Sequence, residues 1–152
     1  MARAFYKSHN HAQARDLDRD TLARRRRVLG EDHPDTLISA CNLAIWLAAL
    51  GETEQSRTLA EEALARQRRV LGEDHPDTLT SASNLANRLA ALGETEQSRT
   101  LAEEALARQR RVLGEDHPET LISAKNLALI LQRSTAIPAT SLDPPPPPDP
   151  PA

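Results

Sequence analysis

The heptapeptide EDHPDTL occupies residues 31–37, returns unchanged at 73–79, and recurs as EDHPETL at 115–121. The period is 42 residues. Aligning 31–72 with 73–114 leaves four differences: Ile38/Thr80, Cys41/Ser83, Ile45/Asn87 and Trp46/Arg88. A third copy starts at Glu115 and dissolves after about Gln132, while residues 11–30 match the second half of a unit, 53–72. Two whole units therefore stand between two halves. Self-similarity at such a period predicts a repeat architecture.

The five glycines, at 30, 51, 72, 93 and 114, are spaced 21 residues apart. Glycine just past a helix supplies the positive φ of a C-terminal cap, so the grid predicts helices of roughly 16–18 residues joined by short turns. Pro34, Pro76 and Pro118 stand where a first helical turn tolerates proline. In the first helix of a unit, helix A, Leu37, Ala40, Leu43, Ala44, Leu47 and Leu50 fall within one arc of about 140° at helical period. In the second, helix B, the stripe is Ser56, Leu59, Ala60, Ala63, Leu64 and Leu71. Small residues at Ala44, Ser56, Ala60 and Ala63 allow close approach. Neither helix can bury its stripe alone, so the expected fold is all-α: an antiparallel helix-pair solenoid of about six helices. Residues 1–10 read as the remnant of a preceding repeat helix, and 11–133 as the repeat domain. That domain divides into a half unit 11–30, full units 31–72 and 73–114, and a half unit 115–133. Residues 134–152 hold eight of the eleven prolines and read as a polyproline II tail, either a flexible or stiff tail or a ligand for an SH3-like groove.

Composition narrows the function. The 152 residues include one Phe, one Trp and one Tyr, so the core must be built from Leu and Ala. A net charge of −3, from 19 basic and 22 acidic residues, gives no general attraction to nucleic acid or anionic lipid. With almost no aromatics to stack bases, nucleic-acid binding is not expected. The single cysteine, Cys41, excludes an internal disulfide framework and any multi-cysteine metal site. No apolar run reaches the ~20 residues needed to span a bilayer. The opening MARAFYKSHNH lacks a secretory apolar stretch, so a cytoplasmic location away from membranes is expected.

These residues resemble tetratricopeptide repeats, in the 42-residue form of kinesin light chains and bacterial repeat arrays. The resemblance is carried by Asn42-Leu43-Ala44, Leu47, Gly51, Ser56, Ala60 and Ala63, and by the linker Leu71-Gly72-Glu73-Asp74-His75-Pro76. It recurs at Asn84-Leu85-Ala86, Gly93, Ser98, Ala102 and Ala105, and partly at Asn126-Leu127-Ala128. It implies a superhelix whose A helices line a concave groove. It also implies that the Asn before Leu-Ala hydrogen-bonds the backbone of an extended peptide, a role that carries onto Asn42, Asn84 and Asn126.

The duplicated units point to the same place. Positions 38, 41 and 45 span only about 60° of helix A, opposite the core stripe. Free drift of a solvent face is the alternative, yet helix B and the loops carry no differences between units. Confinement to one face fits a surface altered for a ligand. The expected selectivity residues are an apolar end (Ile38, Cys41, Ile45), a polar middle (Thr80, Ser83, Asn87) and a mixed far end (Ile122, Lys125, Leu129). Trp46 reads as an edge packing residue. Cys41 reads as an inert thiol, with no cation visibly beside it. The clusters Arg24–Arg27, Arg66/Arg68/Arg69 and Arg108/Arg110/Arg111 read as last-turn cations favoured by the helix dipole and offset by acidic neighbours.

The Glu-Asp-His trios repeat identically at helix starts, as a capping device does, and no nucleophile–base pair stands out. No enzyme chemistry, metal or cofactor is expected. The functional expectation is a non-catalytic module that binds a peptide or protein segment in the helix A groove. The alternative is a structural element that self-assembles through exposed solenoid ends, with weak homo-oligomers forming through the C-terminal helix.

Overall fold

The computed structural model describes the backbone of residues 2–135 and the side chains of 10–133; the expectations for 136–152 lie outside the described residues. Six helices follow one another: α1 (Ala2–Leu29), α2 (Pro34–Ala49), α3 (Thr53–Val70), α4 (Pro76–Ala91), α5 (Thr95–Val112) and α6 (Pro118–Thr135). Helices α2, α4 and α6 are the A helices, and α1, α3 and α5 the B type. Helix α1 runs unbroken through the expected boundary at residues 10–11. Helix α6 continues to Thr135, two residues into the segment read as tail, since no Gly or Pro stands between Glu119 and Ile137 to stop it. Among the described residues, no helix is long and apolar enough to cross a membrane.

The helix ends follow the repeat. Leu50 caps α2, and Gly51 then takes a φ of 81°, a left-handed value that only glycine adopts without strain. Gly51 N–H donates to Ala48 O at 3.1 Å and Glu52 N–H to Leu47 O at 2.9 Å, the paired bonds of a Schellman cap. At the helix starts, the imidazole rather than an acid does the capping. Nδ1 of His33, His75 and His117 accepts from the backbone N–H two residues on, at 3.2, 3.2 and 3.3 Å. The acids beside His33 and His75 instead bind arginines. Asp32 takes Arg66 at 2.9 Å and Arg69 at 2.7 Å, and Asp74 takes Arg108 at 3.0 Å and Arg111 at 2.7 Å. Glu31 and Glu73 add bonds to Arg66 and Arg108. The first two linkers are thereby tied to the far end of their own unit's helix B, and the guanidinium of Arg66 or Arg108 holds the adjoining Asp carboxyl below its ordinary value.

The stripes bury as the periodicity requires. Leu37, Ala40, Leu43, Ala44 and Leu47 of α2 pack with Ala60, Ala63 and Leu64 of α3, and the equivalent set packs α4 against α5. Leu50, Leu59 and Leu71 lie half-buried at the margins. Ser56 Oγ–H donates to Ala44 O at 2.6 Å and Ser98 Oγ–H to Ala86 O at 2.7 Å, so the small residue at each crossing also binds the facing helix. Neighbouring helices in sequence pack together. The backbone of α2 also comes close to α4, and that of α4 to α6, whereas among the described residues the backbones of α1, α3 and α5 stay farther apart and share only side-chain clusters. The A helices therefore converge into an inner layer and the B helices splay outward. The inner layer is the concave side.

Candidate functional site

Between α4 and α6 the inner layer opens into a pocket of about 180 Å³. Thr80, Ser83 and Asn84 of α4 form one wall, and Ile122, Ser123 and Asn126 of α6 the other, with Glu119 at the entrance to α6. Gln109 of α5 reaches through from the outer layer to complete the lining. Five of the twelve expected site residues therefore meet here: Thr80, Ser83, Asn84, Ile122 and Asn126. Ile38, Cys41, Asn42, Ile45, Asn87, Lys125 and Leu129 lie outside this lining. Ile38, Ile45 and Leu129 are exposed on the same inner helices.

The polar groups of the pocket are unevenly satisfied. Thr80 Oγ1–H donates to Glu119 Oε2 at 2.6 Å. Ser83 Oγ and Ser123 Oγ share a hydrogen bond at 3.0 Å. The side chains of Asn84 and Asn126 make no hydrogen bond among the described residues, so each amide keeps two donors and an acceptor to offer. Gln109 is 1% exposed, and its Oε1 has no donor. Leaving such a group unpaired costs about 1–3 kcal/mol.

Gln109 and its counterpart Gln67 were not expected at the site, because both lie within the charged end of helix B. The signal was present. Gln67 stands four residues after Ala63 and three after Leu64, on the same helical stripe, so a buried amide was legible from position alone. One unit earlier the surroundings differ. Gln67 Oε1 faces Cys41 Sγ at 4.0 Å, and Cys41 Sγ lies 3.2 Å from Ser81 Oγ. Arg88, at the position of Trp46, is close enough to act on this thiol, which corrects the expectation that no cation stands near it. Burial nevertheless dominates and pushes the Cys41 thiol up, so it stays protonated and unreactive. Burial also lowers the pKa of Arg88, which forms no ion pair among the described residues. Trp46 is an edge residue: its Nε1–H donates to Asp18 at 2.8 Å and its ring packs on His11 at a centroid distance of 5.4 Å.

Among the described residues, no group of three or more His, Cys, Asp or Glu could hold a metal ion. The arrangement offers hydrogen-bonding amides and hydroxyls along a concave face, with an unpaired cation toward α2 and a carboxylate toward α6.

Comparison with solved structures returns solenoids of the same build. A kinesin-light-chain-type protein of nearly identical tetratricopeptide-like repeats from Podosopora anserina superposes with a TM-score of 0.79 at 29% identity, over 88% of this chain and 64% of that one. A point variant of that protein gives 0.79 at 28% identity, over 88% and 63%. BtubC (BKLC) of P. vanneervenii shares the fold, with a TM-score of 0.75 at 23% identity over 86% of this chain and 52% of its own. The chain thus spans less than two thirds of the length of these structures. No curated protein matches it. The sequence model of the tetratricopeptide repeat matches three overlapping stretches, residues 1–69, 41–106 and 82–135. With helix pairing, period and sequence in agreement, the chain belongs to the tetratricopeptide repeat family.

Proposed function

We propose that this chain is a non-catalytic interaction module that binds an extended peptide or protein segment along the inner face of α2, α4 and α6. Repeats of this family are in general protein–protein interaction scaffolds. The observation that carries the finer reading is the pocket between α4 and α6, where the unengaged amides of Asn84 and Asn126 stand beside positions at which the repeats differ. An amide pair can read the N–H and C=O of an extended backbone whatever its side chains. Thr80, Ser83 and Ile122 then contact the side chains that tell one segment from another.

The test is to select binders from a displayed random-peptide library against the full chain and to map them by amide chemical shifts. The reading expects shifts along the inner faces of α2, α4 and α6. Shifts confined to the outward faces of α3 and α5 would contradict it.

A second reading, self-assembly, is favoured by α6. Leu121 and Leu131 are 55% and 39% exposed, whereas their counterparts Leu79 and Leu89 are 1% and 4% exposed. Among the described residues, the uncovered side of α6 is the one that packs on helix B in a complete unit. Helix α1 is of the B type and exposes Leu17, so α1 of a second copy is the occupant that would repeat the contact found between α4 and α5.

A further inference from the structure

We infer that the pocket between α4 and α6 is an ammonium site, which takes the lysine side chain of the segment bound in the groove. That the ammonium belongs to a peptide lysine rests on the groove reading above; that the pocket selects an ammonium stands on its own geometry.

The pocket is assembled where the units depart from one another. Thr80 replaces Ile38, and Glu119 replaces the aspartate of the other two motifs. The extra methylene of Glu119 brings its carboxylate to Thr80 Oγ1 at 2.6 Å. Ser83 replaces Cys41 and turns to Ser123, which leaves Gln109 Oε1 without the thiol that faces Gln67 one unit earlier.

Counting donors and acceptors gives the chemistry of the occupant. The hydroxyl hydrogen of Thr80 is spent on Glu119, and the two serines share one hydrogen bond, which leaves one hydroxyl hydrogen free. The acceptors that remain are the buried Gln109 Oε1, the further lone pairs of the Glu119 carboxylate, and the amide oxygens of Asn84 and Asn126. The amide N–H groups of the two asparagines remain as donors, so the preference comes from the carboxylate charge and the orphaned buried oxygen. No Lys or Arg lines the pocket. A primary ammonium has three donors, no acceptor and a positive charge, which complements the Glu119 carboxylate and the orphaned Gln109 Oε1. A slim point charge can also approach a carbonyl oxygen at the buried end of the pocket, where the planar guanidinium fork is a poorer fit.

Size and walls agree. At about 30 Å³ per water-sized group, 180 Å³ admits the head and methylene stem of one lysine. Ile122, 60% exposed, offers apolar surface for the stem at the mouth. The corresponding place between α2 and α4 holds Arg88 as well as Asp77, so its carboxylate is offset by a cation and a lysine is better received between α4 and α6, which also sets the register of the bound segment.

The test uses the isotopically labelled full chain and n-butylammonium chloride at constant ionic strength, read by the side-chain amide signals of Gln109, Asn84 and Asn126. The expected result is a saturable shift that weakens about fivefold or more in Glu119→Gln, the equivalent of roughly 1 kcal/mol. No saturable shift, an equal response to butyrate or n-propylguanidinium, or an unchanged midpoint in Glu119→Gln overturns the site. The peptide library supplies the second arm. Binders that carry lysine at one position, and lose that preference against Glu119→Gln, support the inference. Binders that need Asn84 but show no lysine preference overturn it and leave the groove reading standing. A saturable ammonium shift with no peptide binders supports the ammonium site and removes the groove reading, and the peptide lysine with it.

Discussion

Replacing Ala60 with Leu tests the packing of the helix pair. Ala60 of α3 is buried in the cluster that holds Ala44, Leu64, Ala82, Leu85, Leu89 and Ala105. Ala44, at that junction, is 0% exposed, so no free volume receives the three added carbons. Overpacking of this kind costs about 1–3 kcal/mol. For a domain of this size each kcal/mol moves the melting temperature by about 2–4 °C, which gives a loss of roughly 2–12 °C. The control is Glu61→Leu, one residue along on the exposed side of the same helix. It removes only a solvent-screened pair with Arg57 at 2.8 Å, and leucine is at least as good a helix former as glutamate. Thermal melts followed by circular dichroism read both. A melting temperature for Ala60→Leu equal to that of Glu61→Leu would refute the assigned core face.

Three further outcomes are expected. The carboxyls of Asp32 and Asp74 titrate below their ordinary value of 3.8, so their contribution is present above that pH and is lost as pH falls through the lowered folded value. The acid-induced fall in melting temperature should therefore be shallower in Asp32→Asn plus Asp74→Asn, and an unchanged acid slope contradicts the linker clamp. Thr78 is buried with an unpartnered Oγ1 beside a cavity of about 10 Å³, so Thr78→Val should leave the melting temperature unchanged or raise it. A loss above about 1 kcal/mol would show that the hydroxyl is engaged. If copies pair through α6, Leu121→Glu plus Leu131→Glu removes a concentration-dependent rise in mass by sedimentation while helicity is kept; a wild-type chain of constant monomeric mass ends that reading.

The solenoid was legible because its determinants are local and repeated. Gly51 and Gly93 end helices through their backbone freedom, Pro34 and Pro76 begin them, and the Leu/Ala stripe fixes which side is buried. What escaped reading depends on distance in three dimensions. Asp32 meets Arg66 and Arg69 across a whole unit, and spacing alone does not pair one acid with those cations. The capping role of His33 requires its χ angles as well as its position. At the groove, Asn84 and Asn126 were legible through the resemblance, and Thr80, Ser83 and Ile122 through their differences from their counterparts. Glu119 was missed because an acid-for-acid change at a helix start reads as part of the cap, and Ser123 because its position is constant in all three motifs; both become pocket residues only when α6 packs beside α4. Gln109 was overlooked because the arginines around it mark that stretch as surface.

The most direct test of the groove is the affinity of one library-selected peptide for three proteins: the wild type, Asn84→Ala plus Asn126→Ala, and Glu62→Ala plus Glu104→Ala on the exposed faces of α3 and α5. Each lost backbone hydrogen bond is worth about 0.5–1.5 kcal/mol, so the asparagine pair should weaken binding by roughly 5- to 150-fold. The glutamate pair should leave the dissociation constant unchanged. An asparagine double variant that binds as tightly as the wild type, with its helicity and melting temperature intact, contradicts the account.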